Sequence, residues 1–309
     1  MRRLAFTLFS IASVSVMAWQ NPGRADGPQE PAHFHVSVQA VYLNVVVVGS
    51  AGRLWPGLTA EDFEVLEEGV PQDLSYFTAE KTPVTVLMLL DASSSIRRSL
   101  KGVKSAAVDF LGRLRAGDKA AIAFFNQNLR FATTFTDDQT LLAGGVKSMR
   151  ASGLTALYDS VLASLERLST IDGRKALLVF SDGADSWPAE GGSDASMKDA
   201  FESGRLSEAS IYAIGFLGAM PQGYGVNRGF LKRLSRESGG RAFFPKGTKE
   251  LNKVFLQIHT ELSSQYRMAY MPKNTEKDGT WRNIEVRIKG TTDLEARTRL
   301  GYYAKFGVQ

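Results

Sequence analysis

Between residues 81 and 265 the chain alternates short, wholly apolar runs with longer segments whose apolar residues recur at helical spacing. Runs that are apolar on both faces are typical of strands buried inside a parallel sheet, because helices cover both sides of such a sheet. This alternation predicts an α/β domain with a doubly wound, mostly parallel sheet. The buried strands are predicted at VTVLMLL, KAAIAFFN, KALLVFS and SIYAIGF, which begin at Val84, Lys119, Lys175 and Ser210.

Segments with strand-like alternation lie on both sides of the α/β part. Residues 34–80 contain HVSVQAVYLNVVVV and two shorter strand patterns, and residues 266–309 contain YRMAYMPKN, TWRNIEVRIK and DLEARTRLGYYA. Neither segment alone has enough strands to be stable by itself. We therefore expect the two segments to pack together as a small β-sandwich beside the α/β domain.

The first residues have the order of a secretory signal peptide: a basic head, an apolar stretch, and small residues before a polar segment. We expect a signal peptide over residues 1–18, cleaved after Ala18, and a linker over residues 19–33. The alternative is an uncleaved membrane anchor, although the apolar stretch is shorter than a bilayer span. The chain contains no cysteine, so disulfides and thiolate ligands are excluded. These features predict an exported bacterial protein, either periplasmic or extracellular at the cell surface.

The charge of the chain argues against one class of partner. The formal net charge is +5, and the basic residues look scattered along the sequence. Because no basic cluster alternates with aromatic residues, nucleic acid is not an expected partner.

The first buried strand ends in the stretch DASSS, which places Asp91, Ser93 and Ser95 at the carboxyl end of that strand. Ligands of open α/β sheets bind at such ends, where the order of the strands reverses. Taken alone, these residues have a simpler interpretation. The serines would cap a helix, and the aspartate would accept hydrogen bonds from the loop backbone.

Two later loops favour a ligand site. SGLTALYDS places Thr155 at the start of another helix, and LLVFSDGADS places Asp182 directly after the third buried strand. Together the three loops supply two carboxylates and three hydroxyls, without a histidine or cysteine. Such hard oxygen ligands suit a small divalent cation. The sequence therefore predicts a metal site formed by Asp91, Ser93, Ser95, Thr155 and Asp182.

The DxSxS motif followed by a threonine and an aspartate, in this order of strands and helices, resembles the von Willebrand factor type A (VWA) domain. The motif is similar to the metal-ion-dependent adhesion site (MIDAS) of that family. The resemblance covers about residues 80–265 and implies a Rossmann-like fold. The flanking stretches GLTAEDFEVLEEGVPQ and YRMAYMP, with the later WRNIEVRI and GYYA, resemble an exported bacterial subgroup of VWA proteins.

The resemblance also implies roles for the five residues. The hydroxyls of Ser93, Ser95 and Thr155 would contact Mg²⁺, or Mn²⁺ or Ca²⁺, while Asp91 and Asp182 would act largely through water or by orienting the hydroxyls. The remaining coordination position would receive an Asp or Glu carboxylate from a partner protein. A helix beginning directly after Ser95 would favour this incoming carboxylate with its positive end. The expected function is metal-dependent protein binding in cell adhesion.

Large side chains in two loops after buried strands are candidate partner contacts. They are Trp187, Met220 and Tyr224, and packing onto neighbouring loops is the alternative for each. Asp185 lies near the predicted metal site, and it would either support that site indirectly or be a solvated loop residue.

Catalysis is not expected. His33 and His35 lack a third ligand for zinc, and His259 lies on a predicted helix away from the metal loops, so a serine hydrolase is also disfavoured. An aspartyl phosphotransferase would need a second acid two residues after Asp91, where this chain has Ser93. Two alternatives stay open: a structural envelope protein that exchanges no ligand at the metal, and, more weakly, a Mg²⁺-dependent phosphate-ester hydrolase.

Overall fold

Strands and helices follow one another in the order that the apolar pattern predicts. A computed structural model describes residues 40–216 and 226–304. The described strands are β1 (Val41–Val48), β2 (Phe63–Glu67), β3 (Val70–Gln72), β4 (Leu74–Thr78), β5 (Val84–Asp91), β6 (Lys119–Phe125), β7 (Leu129–Phe131), β8 (Arg174–Ser181), β9 (Ser210–Gly215), β10 (Ala242–Phe243), β11 (Tyr266–Tyr270), β12 (Trp281–Ile288), β13 (Glu295–Arg297) and β14 (Gly301–Tyr303). The described helices are α1 (Leu100–Leu111), α2 (Gln139–Ser148), α3 (Leu157–Ser169), α4 (Met197–Leu206), α5 (Arg228–Glu237) and α6 (Thr248–Ser263).

The α/β part is a six-stranded sheet in the order β10-β9-β8-β5-β6-β7. Its strands are parallel except β7, which pairs antiparallel with β6 at one edge. The predicted doubly wound sheet is therefore confirmed. From β5 the chain moves to β6 and β7 on one side and returns to β8 on the other, so the strand order reverses between β5 and β8. The carboxyl ends of these two strands border a crevice of the kind that holds ligands.

Each face of this sheet has its own buried apolar layer. Side chains alternate along β5, so Met88 and Leu90 belong to one layer while Leu87 and Leu89 belong to the other. Helices α1, α2 and α6 cover the first layer, and helices α3, α4 and α5 cover the second. The wholly apolar strands are thus explained by burial on both faces.

The two flanking segments form a β-sandwich, as predicted. Its antiparallel sheets have the orders β13-β1-β11-β4 and β14-β12-β2-β3, so each sheet combines strands from before and after the α/β part. Strand β12 alternates buried and exposed residues, because one of its faces packs against the core. Both sheets contribute to one shared apolar core.

Two details of the N-terminal flank differ from the expectation. The strand predicted over residues 35–48 begins at Val41 in the described part of the chain. One strand was expected over residues 73–77, and it corresponds to β4, which pairs with β11. A further strand, β3, precedes it and pairs with β2 in the opposite sheet. The break at Asp73 lets the chain cross from one sheet of the sandwich to the other.

The N-terminal predictions lie largely outside the described residues. These are the signal peptide over residues 1–18, the linker over residues 19–33, and the start of the β segment. Among the helices that the structure describes, none has the length and apolar character needed to cross a membrane.

A buried ionic cluster around Glu67 ties the sandwich together. The carboxylate is 3% exposed and accepts hydrogen bonds from the hydroxyls of Tyr270, at 2.7 Å, and Tyr302, at 3.0 Å. The guanidinium of Arg282 donates to the same carboxylate at 3.3 Å. Burial raises the pKa of Tyr302 to about 12, and the Glu67 charge adds to this rise. Four strands from both flanks therefore meet at one carboxylate.

Removing this carboxylate would leave the Arg282 guanidinium buried without its counter-charge. We expect Glu67→Ala to lower the free energy of unfolding by about 3–5 kcal/mol. Glu285 pairs with Arg287 on the exposed side of β12, so Glu285→Ala is a matched control that should leave stability unchanged. Urea unfolding followed by tryptophan fluorescence measures both variants. Equal stability of Glu67→Ala and wild type would contradict the role of the cluster.

Candidate metal site

Asp91 is the last residue of β5, and its side chain is fully buried. One carboxylate oxygen accepts the N–H of Ser93 at 2.8 Å, and the other accepts the hydroxyl of Ser181, the last residue of β8, at 3.0 Å. The carboxylate therefore bridges the two strands that border the crevice. Burial raises the pKa of Asp91 to about 6, and the nearby Asp182 carboxylate contributes to that rise.

The serines that follow Asp91 lie side by side. The hydroxyl oxygens of Ser93 and Ser95 are 2.9 Å apart; Ser93 is buried and Ser95 is half-buried. A single 3₁₀ turn, Ser94–Ile96, follows Ser93, and α1 begins only at Leu100. The expectation that a long helix begins directly after Ser95 is therefore wrong.

Backbone hydrogen bonds tie the loop of Thr155 to the end of β5. The N–H of Ser152 donates to the carbonyl of Ala92 at 2.7 Å, and the N–H of Ser94 donates to the carbonyl of Gly153 at 3.0 Å. Gly153 has φ +77°, a conformation that glycine adopts without the strain of a side chain. The turn at this glycine brings Thr155, which is half-buried, back toward the serine loop.

Asp182 follows β8 directly and is half-buried. Its carboxylate accepts the N–H of Ala184 at 3.0 Å and lies within hydrogen-bonding reach of the Ser95 hydroxyl. Burial raises the pKa of Asp182, although the hydrogen bonds from Ala184 and Ser95 act in the opposite direction. The carbonyl of Asp182 accepts the N–H of Asn227, which precedes α5, at 2.8 Å. This residue thus connects the serine loop with the start of α5.

Two reciprocal hydrogen bonds join the loop of Thr155 to the loop after Asp182. The N–H of Thr155 donates to the Ser186 hydroxyl at 3.1 Å, and the N–H of Ser186 donates to the Thr155 carbonyl at 2.9 Å. Each of the three loops therefore contacts the other two. The structure brings together the loops that carry all five residues predicted from the sequence.

The donor set fits a small, hard cation. Asp91 and Asp182 form no ion pair within residues 40–216 and 226–304. Neighbouring buried carboxylates without a positive partner are stabilised when a cation binds them. In the same residues, no three His, Asp or Glu side chains come close enough to hold a metal. The hydroxyls of Ser93, Ser95 and Thr155 would therefore have to complete any metal site here.

Histidine does not contribute to the described site. His33 and His35 lie outside the described residues. His259 lies on α6, where its ring is 6.5 Å from that of Phe110, and its Nε2 is buried without a hydrogen-bond partner.

Of the two interpretations of Asp185, the contacts favour indirect support of the site over a solvated loop residue. Its carboxylate accepts the N–H of Tyr158 at 2.9 Å, and both the N–H and the hydroxyl of Ser193 at 2.9 and 2.7 Å. It therefore fixes the first turn of α3 and the end of the loop that starts at Asp182. Asp185 holds two of the three site loops in place.

The sequence analysis also missed Ser181 and Ser186. Ser181 donates to Asp91, and Ser186 bonds to Thr155 in both directions. Its position could have indicated Ser181, because it is a polar residue that directly follows the apolar run of residues 176–180 and ends its strand beside the site. Ser186 gave no such signal, since its contact depends on the path of a loop.

Two exposed apolar side chains lie in the site loops. Trp187 is 77% exposed and directly follows Ser186, and Leu154, which the sequence analysis did not single out, is 40% exposed and precedes Thr155. The structure thus leaves Trp187 free for a partner. The other two predicted contacts, Met220 and Tyr224, lie outside the described residues.

A family model described as the von Willebrand factor type A domain matches residues 86–184. This part of the chain is similar to a VWA domain. The match includes all five residues of the candidate site, and it runs from β5 to the loop after β8. No curated protein matches the sequence.

Solved structures of VWA proteins resemble the chain at low sequence identity. The VWA protein from Catenulispora acidiphila is 15% identical, with a TM-score of 0.49, over 88% of this chain and 65% of that one. The von Willebrand factor domain of a type V pilus tip protein from Porphyromonas gingivalis is 14% identical, with a TM-score of 0.48, over 58% and 95%. An aerotolerance-related membrane protein from Bacteroides fragilis is 15% identical, with a TM-score of 0.46, over 58% and 98%.

The candidate metal site makes a prediction about stability. Without metal, Asp182 and Asp91 repel each other, and an amide at position 182 would still accept the N–H of Ala184. We expect Asp182→Asn to leave the melting temperature in EDTA equal to or above that of wild type. Excess Mg²⁺ should stabilise wild type, by about 2.7 kcal/mol at a hundredfold excess over Kd, but should stabilise the variant much less.

Thermal melts in EDTA and in MgCl₂ measure both effects. A marked loss of stability of Asp182→Asn in EDTA would show that this carboxylate is only a structural cap of its loop.

Proposed function

We propose that the VWA domain binds a divalent cation, Mg²⁺ or alternatively Mn²⁺ or Ca²⁺, and binds a carboxylate of a partner protein through it. The observation that supports this proposal most is the pair Asp91 and Asp182. These two neighbouring carboxylates, both with raised pKa values, lie beside the hydroxyls of Ser93 and Ser95 and have no positive partner among the described residues.

The five residues would have different roles, because they are buried to different extents. Asp91 is the buried end of the site, and both of its oxygens already accept hydrogen bonds, so it would act on the cation through water or through the serine hydroxyls. Ser95, Thr155 and Asp182 are half-buried, so they lie between Asp91 and the solvent-exposed surface of the site. A bound divalent cation supplies a strong attraction for a carboxylate. Because the hydroxyl ligands are neutral, they would leave most of that positive charge for the partner.

The burial of Asp91 supports binding rather than catalysis. A nucleophilic aspartate needs an oxygen that a phosphate substrate can reach, whereas the side chain of Asp91 is fully buried. The second acid that such an enzyme needs is replaced by Ser93. We therefore infer that the domain is an interaction module and not an enzyme.

Exposed apolar side chains beside the site support a protein as the partner. Leu154 and Trp187 flank Thr155 and Ser186, whose loops are joined by hydrogen bonds. Exposed tryptophan is a favoured anchor of protein interfaces. We infer that the partner places a carboxylate at the metal and an apolar surface against Trp187.

Metal-dependent capture of a partner tests this proposal. The tagged protein is used as bait for an envelope fraction in Mg²⁺ and in EDTA. We expect partners that are retained in Mg²⁺ and lost in EDTA. We also expect Ser93→Ala to weaken Mg²⁺ binding in calorimetry by about 10- to 100-fold and to lose the same partners.

Ser94→Ala is the matched control, because Ser94 is exposed and only its backbone contacts the Thr155 loop. This variant should retain both Mg²⁺ and the partners. Capture that survives both EDTA and Ser93→Ala would favour the structural role without ligand exchange. Turnover of a generic phosphate ester that Asp91→Asn abolishes would instead favour the hydrolase.

We propose that the protein is exported by a bacterium to the periplasm or the cell surface. The support is the order of basic, apolar and small residues over residues 1–18. Expression in a bacterium, followed by fractionation and N-terminal sequencing, should yield a periplasmic or extracellular chain that begins at Trp19. A full-length chain in the cytoplasm would contradict the proposal.

A further inference from the structure

One short segment of the chain, residues 228–246, carries a clear net positive charge. Residues 228–246 contain six basic residues and one acidic residue, so the rest of the chain has 31 of each. The six are Arg228, Lys232, Arg233, Arg236, Arg241 and Lys246.

The fold turns this segment into one wall of a basic cleft. The cleft has a volume of about 490 Å³ and lies along α5, with β10 beside it and β13 of the sandwich contributing a further arginine. We name it the α5 cleft. The cations that line it are Lys232, Arg233, Arg236, Arg241 and Arg297.

Two buried carboxylates hold the arginines but do not neutralise them. Glu237 accepts hydrogen bonds from Arg233, at 2.8 Å, and Arg205, at 3.1 Å. Glu261 accepts hydrogen bonds from Arg297, at 2.6 Å, and Arg241, at 3.4 Å. Because each carboxylate is shared by two guanidiniums, each group retains a net positive charge.

Aromatic rings fix several of the cationic groups in position. The guanidinium of Arg233 lies 4.1 Å from the ring centroid of Phe201, and that of Arg241 lies 5.0 Å from that of Phe243. The ammonium group of Lys232 lies 5.9 Å from the ring of Phe244. Positive groups that are held in place lose little conformational freedom when they bind an anion.

Two cations of the cleft have no counter-charge in the described part of the chain. Lys232 and Arg236 are exposed on α5, and neither forms an ion pair within residues 40–216 and 226–304. They lie one helical turn apart, so an extended anionic segment along α5 could contact both.

We propose that the α5 cleft binds an acidic peptide segment, with Lys232, Arg236 and the clamped arginines pairing with its carboxylates. Guanidinium groups bind carboxylates with two parallel hydrogen bonds, which suits Asp and Glu side chains. The rings beneath the cations are covered by them and are not free to stack on bases.

The position of the cleft connects it to the site loops. Helix α5 begins directly after Asn227, whose N–H donates to the carbonyl of Asp182 at 2.8 Å. A partner at the metal site would therefore have a route along α5 into the cleft. The binding of acidic peptide in the cleft uses other residues and needs no metal, so it is tested separately from the proposed function.

Fluorescence anisotropy of a labelled oligoglutamate peptide, measured with the purified protein in EDTA, tests the proposal. An oligoglutamine peptide of equal length is the neutral control probe. We expect the oligoglutamate peptide to bind, the oligoglutamine peptide not to bind, and binding to weaken as salt is raised. The double variant K232E/R236E should weaken binding about 10-fold or more.

The matched control is K249E/K253E, which reverses two exposed lysines at the same spacing on α6, outside the cleft. It should bind the peptide as wild type does. If K232E/R236E lowers the melting temperature, the neutral variant K232Q/R236Q is used in its place. We expect this variant to lose less of the affinity for the peptide. Equal weakening by both pairs, or no binding by wild type, would overturn the proposal. Sedimentation with phosphatidylglycerol vesicles but no binding of the peptide would overturn it in favour of a lipid surface.

Discussion

The structure of the site depends on a carboxylate that is buried at the end of the central strand. Burial of a charge is unfavourable unless hydrogen bonds or an opposite charge compensate for it. For Asp91, hydrogen bonds come from the next loop and from Ser181 of the neighbouring strand, but the opposite charge is missing from the described residues. The three loops at this edge supply further oxygens rather than a Lys or Arg. This choice of residues is explained if the missing charge is a metal ion.

The convergence of the loops could be predicted because it follows from topology. Strands β5 and β8 are recognisable as apolar runs, and parallel neighbouring strands end at the same edge of their sheet. Asp91 and Asp182 had to lie near each other once both strands were placed. Thr155 was predicted from its place at the start of a helix after a glycine, and the resemblance to VWA domains supported it, since no strand ends directly before it.

Features that depend on loop paths were not predictable from the sequence. The hydrogen bonds of Asp185 to Tyr158 and Ser193 span distant positions, and nothing in the local pattern indicates them. The short 3₁₀ turn after Ser93 delays α1, although the residues there read equally well as a helix start. The charge of residues 228–246 was visible in the sequence. The cleft that these cations line could not be predicted, because only the folded structure shows that each buried glutamate pairs with two arginines.

The β-sandwich is part of the charged surface and not only a flank of the α/β domain. Arg297 belongs to β13, yet its guanidinium binds Glu261 on α6, and the backbone N–H of Leu300 donates to the carbonyl of Glu237 at the end of α5. The α5 cleft is therefore complete only when the C-terminal segment is docked on the α/β part. A metal at the DxSxS loop and the fixed cations of this cleft would select the same kind of partner, one rich in carboxylates. The two attractions would respond to different conditions. A chelator would remove the attraction at the metal site, whereas salt would screen the attraction of the α5 cleft.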